Sequence, residues 1–368
     1  MAQFSNPSRS FSSRPQHKYF DPVAVTDTST VIASYVADGK SATGYQSEAD
    51  LEDAFINQLT NQAYEHADIR TAEAMRDNLR QKLEELNEYS FTDSEWDSFY
   101  RAEIANPSAG IVEKTRTMQV DHEKNLIRED GTTKNIRLID KTNIYRNSLQ
   151  VINQYATKGS DKGNRSNRYD VTVLVNGLPL VHVELKRRGV AIREAFNQID
   201  RYQRDSFWAD EGLFQYVQLF IISNGTQTKY YSNTTRDLHV KEVAGKNNPR
   251  RNKRKTSNSF EFTSWWADAS NKPIMDLIAF AKTFMSKHTL LSVLTKYCIF
   301  TVDELLLVMR PYQIAAAERI LNRIERSVLN KQLGTINAGG YIWHTTGSGK
   351  TLTSFKTAQL ATEMESVD

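Results

Sequence analysis

Residues 169–186 read YDVTVLVNGLPLVHVELK, and no other stretch constrains the fold as tightly. Two runs of β-branched and apolar residues, 169–176 and 180–186, flank Asn176-Gly177. Asn-Gly is the pair that accepts positive φ at both central positions of a two-residue hairpin turn. The segment therefore predicts two antiparallel strands, apolar enough to be buried on both faces. Val171, Val173, Val175, Val181, Val183 and Leu185 form that apolar framework, and Asp170, Glu184 and Lys186 are its charged exceptions. Charges in such a setting need partners or a metal.

The surroundings supply the rest of a sheet. Residues 190–205 have helical spacing, and 219–223 (LFIIS) and 229–232 (KYYS) read as strands. Upstream, 46–63 places Leu51, Ala54, Phe55 and Leu59 on one face of a helix with an acidic first turn. Further helices are expected near 71–86 and 94–104, and a strand at 135–139. This order predicts an α/β fold, a mixed sheet flanked by helices. Helices follow at 275–284 and 311–328. The chain then shows a strand at 341–343, a glycine-containing turn and a helix from about Lys350.

A length of 368 residues allows two domains or one large one. No apolar run approaches the 18 or so residues of a membrane span. Cys298 is the only cysteine, so no disulfide within the chain and no cysteine-based zinc site is possible, as suits a reducing cytoplasm. The net charge of +3 is too mild to indicate nucleic-acid binding by itself. Residues 241–255, KEVAGKNNPRRNKRK, are densely basic and read either as a solvated loop or as a phosphate-contacting one. Residues 1–18 are rich in Ser and Arg, but Pro7 and Pro15 interrupt any helix and no apolar stripe recurs. They read as a disordered tail rather than a transit peptide.

Side chains alternate along a strand, so Glu184 and Lys186 share a face. Reversal at Asn176-Gly177 brings Asp170 opposite or next to Glu184. Two converging carboxylates with an ammonium beside them favour Mg²⁺, a hard cation that keeps several waters. Such an ion lowers the pKa of a bound water and stabilises charge on a phosphate oxygen, and the lysine can steady the attacking hydroxide or the transition state. A D…ExK pattern also arises by chance on solvated strands; here the buried framework distinguishes it. Gln198 and Tyr202, four apart, share one face of the following helix.

Together, Asp170, Glu184-Leu185-Lys186 and Gln198 to Tyr202 resemble the PD-(D/E)xK nucleases of the RecB-like branch, which carry a Q-x-x-x-Y element after the E-x-K strand. The proline usual before the first Asp is replaced by Tyr169. The resemblance implies the PD-(D/E)xK nuclease fold and metal ligation by Asp170 and Glu184. It gives catalytic roles to Lys186, Gln198 and Tyr202. It also implies an acidic residue on an early helix, for which Glu48 is favoured and Glu52 remains open.

Residues 344–351 read HTTGSGKT. His344 stands where the usual phosphate loop begins with Gly, so the stretch is more similar to the A-x-x-G-x-G-K-T form of superfamily two helicases. In that form Thr346, Gly347, Ser348 and Gly349 cradle phosphates, Lys350 reaches the β- and γ-phosphates of ATP, and Thr351 holds Mg²⁺. Gln313, in Arg310-Pro311-Tyr312-Gln313, matches the upstream Gln whose amide reads the adenine edge. No acidic box of the DEAD type follows the loop in this sequence, so the chain is expected to hold half an ATP site at most and to show no DNA-stimulated ATPase alone.

A nuclease of this branch followed by a helicase loop resembles the restriction, or motor, subunit of bacterial type I restriction-modification enzymes. The stretches 167–202, 306–316 and 339–356 carry the resemblance. It implies an endonuclease domain at 19–286 and the opening of a RecA-like motor domain at 287–368. It also implies cleavage of double-stranded DNA coupled to ATP-driven translocation in a bacterial cytoplasm. Modification and specificity subunits are the implied partners, the former using S-adenosylmethionine. Two other readings remain: a RecB-like helicase-nuclease of DNA repair, and a degenerate, non-catalytic docking module, against which the intact Asp170, Glu184 and Lys186 argue.

Overall fold

The structure, a computed structural model, describes residues 21–22, 31–35, 46–156, 168–207, 210–234 and 259–364. The expected tail at 1–18 and the basic run at 241–255 lie outside them.

Short strands β1 (Asp21–Pro22) and β2 (Ala33–Ser34) pair with each other. Helix α1 (Glu48–Thr60) starts where the sequence predicts, on a capping box in which Ser47 and Asp50 satisfy each other's backbone N–H groups. Leu51, Phe55, Ile56 and Leu59 form its buried face. Strand β3 (Glu65–His66) leads to α2 (Ala72–Asn87), α3 (Asp93–Phe99) and α4 (Ile111–Gln119), the last not anticipated. The strand expected at 135–139 is shifted: β4 (Glu123–Ile127) pairs with β5 (Thr133–Arg137) as a separate hairpin.

The central sheet adds β6 (Leu149–Ala156), β7 (Arg168–Val175), β8 (Leu178–Leu185), β9 (Leu219–Ser223) and β10 (Thr228–Ser232) to β3. Its order is β10-β9-β8-β7-β6-β3, with β8–β9 and β3–β6 parallel and the other pairs antiparallel. This is the mixed sheet with helices that the sequence predicts. The hairpin β7–β8 lies at its centre, and every residue of β8 is buried. Asn176 and Gly177 turn it with φ of 50° and 83°. A Cβ on Gly177 would stand 2.6 Å from the Leu79 Cα, so the turn needs glycine for its φ and for its approach to α2.

Helix α5 (Ile192–Asp205) follows β8 and packs on β8 and β9 through Ile192, Ala195, Phe196, Ile199 and Tyr202, a helical stripe. Later come β11 (Trp266–Ala267), β12 (Pro273–Ile274), α6 (Leu277–Thr283), α7 (Lys287–Thr295), β13 (Cys298–Phe300), β14 (Leu306–Val308), α8 (Pro311–Leu329) and α9 (Lys350–Ala361). Residues beyond 286 are tied to the sheet unit: Leu306 N donates to Thr234 Oγ1 at 2.7 Å, and Lys287 Nζ to Tyr145 O at 3.1 Å.

One element is corrected. Tyr341–Trp343 is not a strand; Tyr341 and Trp343 are 89% and 87% exposed. An extended segment becomes a strand only through ladder partners, and none lies beside it among the described residues.

Candidate active site

The pairing of β7 with β8 sets the site. Thr172 lies opposite His182 and Val171 opposite Val183, so the same register places Asp170 across from Glu184. On the other side of β7, Asn153 pairs with Val171 and Tyr155 with Tyr169. Gln154, the residue between, is not among the paired residues and has a φ of 55°. The ladder is thus interrupted beside Asp170, with the same register on both sides of the break.

Glu184 is fully buried, and Lys186 Nζ donates to its Oε1 at 2.9 Å. Its Oε2 has no hydrogen-bond partner among the described residues. Asp170, half-buried, accepts from Leu185 N at 2.8 Å through Oδ2. Burial, and then the Glu184 charge, raises the Asp170 carboxyl to about 7. Burial likewise raises Glu184 to about 7, against the opposing pull of Lys186. Burial pulls the Lys186 ammonium down, but Glu184, Asp170 and Glu48 outweigh it and hold it above the ordinary lysine value.

The two early-helix glutamates are placed differently. Glu48 Oε1 lies 3.9 Å from Lys186 Nζ and accepts from Arg187 N at 3.4 Å. Glu52 is buried and engaged by two amides, Asn153 Nδ2 at 2.6 Å and Gln154 Nε2. Glu48 therefore borders the lysine, while Glu52 braces the interrupted stretch of β6.

Gln198 Nε2 donates to the Tyr202 hydroxyl, which itself donates to Arg168 O at 2.9 Å. The Tyr202 ring stacks edge-on against Tyr169, 4.9 Å between centroids. The polar tips tether α5 to the start of β7, two residues before Asp170. Sequence reasoning missed His182, two residues before Glu184 on the same face and fully buried. The signal was present: it is the polar residue that the alternation of β8 puts beside Glu184.

An orphaned carboxylate oxygen beside a second carboxylate fits a hard divalent cation, whose ligands are oxygens and which uses one or two carboxylates plus water. No cluster of three or more His, Cys, Asp or Glu side chains arranged for a metal occurs among the described residues.

The second expected site lies at the start of α9. Gly347 and Gly349 have φ of 77° and 81°. Ser348 O accepts from Tyr312 Oη at 2.8 Å and from Gln313 Nε2 at 3.1 Å. Gln313 Oε1 accepts from Arg310 N at 2.8 Å. Both ends of the Gln313 amide thus hold the loop and the start of α8 in place. Thr346, Lys350 and Thr351 are exposed.

Comparison with known proteins decides the family. The profile of the type I restriction enzyme R protein N terminus matches residues 45–239, which contain the whole β7–β8–α5 site. The EcoprrI endonuclease subunit of a type I restriction enzyme from Escherichia coli is 45% identical over 313 residues, 85% of this chain and 93% of that protein. The chain belongs to the endonuclease subunits of type I restriction enzymes. Other such subunits agree. The SauMSSORF170P subunit of Staphylococcus aureus strain MSSA476 is 37% identical over 329 residues, 88% of this chain. A putative MjaIXP subunit of Methanocaldococcus jannaschii is 25% identical over 259 residues, 66% of this chain. The chain spans about a third of the S. aureus subunit, 31%, and 23% of the M. jannaschii one. The profile of the SWI2/SNF2 ATPases matches residues 312–367, which hold Gln313 and the glycine loop of this type I subunit. No helix of the described residues is long and apolar enough to cross a membrane.

Proposed function

We propose that this chain cleaves the phosphodiester backbone of double-stranded DNA with Mg²⁺, through Asp170, Glu184 and Lys186 on a PD-(D/E)xK nuclease fold. The observation that supports it is the meeting of a buried carboxylate, Glu184, a half-buried one, Asp170, and a lysine on one hairpin, with Glu184 Oε2 left without a hydrogen-bond partner among the described residues. Asp170 and Glu184 would hold the cation. When bound, Mg²⁺ would acidify a water and offset charge on a phosphate oxygen. Lys186 would offer its ammonium to a phosphate oxygen or an attacking hydroxide. Glu48 borders Lys186 and adds to the larger pull of Glu184 and Asp170 that keeps it charged. Gln198 and Tyr202 fix the strand end that presents Asp170.

The reading divides the chain into an endonuclease unit at 19–286 and the opening of a RecA-like motor at 287–368. The main-chain N–H groups of residues 346–349, with Lys350 and Thr351, would hold the phosphates of ATP. Gln313 supports the loop and would read the adenine edge of the nucleotide. ATP-driven translocation would deliver DNA to the nuclease, in a complex with modification and specificity subunits, the former using S-adenosylmethionine, in the bacterial cytoplasm.

Covalently closed plasmid DNA tests this reading on the complete subunit assembled with its partners. Cutting of the closed circle that needs Mg²⁺ and ATP is expected. Activity confined to free DNA ends would instead favour a RecB-like repair nuclease.

A further inference from the structure

Burying a polar ring atom with nothing to bond costs free energy, so a buried imidazole with one nitrogen left unpaired calls for a reason. The ring of His182 is fully buried between β7 and α5, edge-on to Tyr169 and Tyr202 with centroids 5.5 Å and 6.0 Å away. Those rings fix its plane. Its Nδ1 lies 3.3 Å from Thr172 Oγ1, the residue paired with it across the hairpin. Its Nε2 lies 3.6 Å from Glu184 Oε2, and neither atom has a hydrogen-bond partner among the described residues.

The tautomer follows from the neighbours. With Glu184 ionised, as a metal-ligating carboxylate is, a proton on Nδ1 would turn the Nε2 lone pair toward a carboxylate oxygen, which is repulsive. A proton on Nε2 lets Nδ1 accept from the Thr172 hydroxyl and points a donor at Glu184. The separation of 3.6 Å is longer than a hydrogen bond, and such contacts commonly tighten only when a site is loaded.

We propose that His182 is a positioning residue for Glu184: its Nε2–H braces the carboxylate oxygen that Lys186 does not engage, and so sets the orientation in which that carboxylate meets a divalent cation. The proposal rests on Asp170 and Glu184 being the metal pair. Donors behind ligating carboxylates and imidazoles tune metal sites, and their loss typically costs about 10–100-fold in affinity or activity.

The test is a calorimetric titration of Mn²⁺ alone into this chain, with thermal unfolding of each variant measured without metal. Glu184→Ala serves as the control for the metal pair. His182→Leu, which keeps bulk without a donor, and His182→Asn, whose amide stops at the δ position, should each weaken Mn²⁺ binding by about 10–100-fold. His182→Gln, whose amide reaches the ε position, should recover most of it. Unchanged Mn²⁺ affinity in His182→Leu, with binding lost in Glu184→Ala, overturns the role of His182 and leaves the metal pair standing. Should the leucine variant not fold, equal affinities for the Gln and Asn variants overturn it. Parental binding by Glu184→Ala, or no binding by the parent, overturns the metal pair and this proposal with it.

Discussion

Lys186 donates to Glu184 at 2.9 Å from the same face of one strand. The pairing offsets the charge of one carboxylate oxygen of a buried glutamate and fixes the ammonium beside it. With Asp170 across the hairpin, the two residues make up the proposed catalytic set.

Substituting any of the three by alanine in the complete subunit should therefore lower cleavage by about two to three orders of magnitude, the range for losing a group that stabilises developing charge. ATP hydrolysis by the assembled complex should stay close to the parent's, because the glycine loop lies at the far end of the chain. Plasmid cutting and phosphate release, measured together, check this. Normal cutting by one variant removes that residue from the catalytic set.

Charge burial gives a pH prediction. Asp170 and Glu184 titrate at about 7 in the folded chain, raised by burial. Unfolded carboxyls titrate near about 4. Between those values the native state binds more protons than the unfolded chain, so stability falls as pH rises from about 4 to about 7. At pH 8 without metal, Asp170→Asn and Glu184→Gln should melt higher than the parent, by roughly 2–4 °C for each kcal/mol relieved. Mg²⁺ should reverse the order, since it stabilises only a native state that binds it. Identical melting of parent and variants at pH 8 would show that these carboxylates carry no burial strain.

Tyr202 separates chemistry from packing. Its hydroxyl bonds Arg168 O while its ring packs on Tyr169. Tyr202→Phe keeps the ring and loses about 1 kcal/mol of hydrogen bonding, so cleavage should slow while melting falls only slightly. Tyr202→Ala leaves a cavity worth about 3–5 kcal/mol and should unfold far earlier. Parental nicking rates for the phenylalanine variant would assign the helix a purely structural part.

Gly177→Ala should destabilise the chain by about 1–3 kcal/mol, because the new Cβ meets Leu79 and the φ of 83° is strained for alanine. Urea unfolding followed by circular dichroism reads the shift directly. An unchanged midpoint would mean that the turn moves away from α2 without cost.

Much of this was legible beforehand because it depends on local rules. The Asn176-Gly177 turn, the alternation of β8 and the stripe of α5 all depend on residues adjacent in sequence. Strand β6 escaped because Gln150, Asn153 and Gln154 break its apolar pattern. Those amides are bonded only in three dimensions: Gln150 to Asn78, Asn153 and Gln154 to Glu52. The same contacts explain why spacing alone could not choose between Glu48 and Glu52. Tyr341–Trp343 had strand-like residues, but strand formation depends on neighbours that sequence periodicity does not reveal.

The metal pair is tested most directly by crystals of this chain soaked in Mn²⁺ and measured at the manganese absorption edge. An anomalous peak between the carboxylates of Asp170 and Glu184, absent in Glu184→Ala crystals, is the predicted result. Ordered carboxylates with no peak between them, or a peak that persists in the Glu184→Ala crystals, would contradict the assignment.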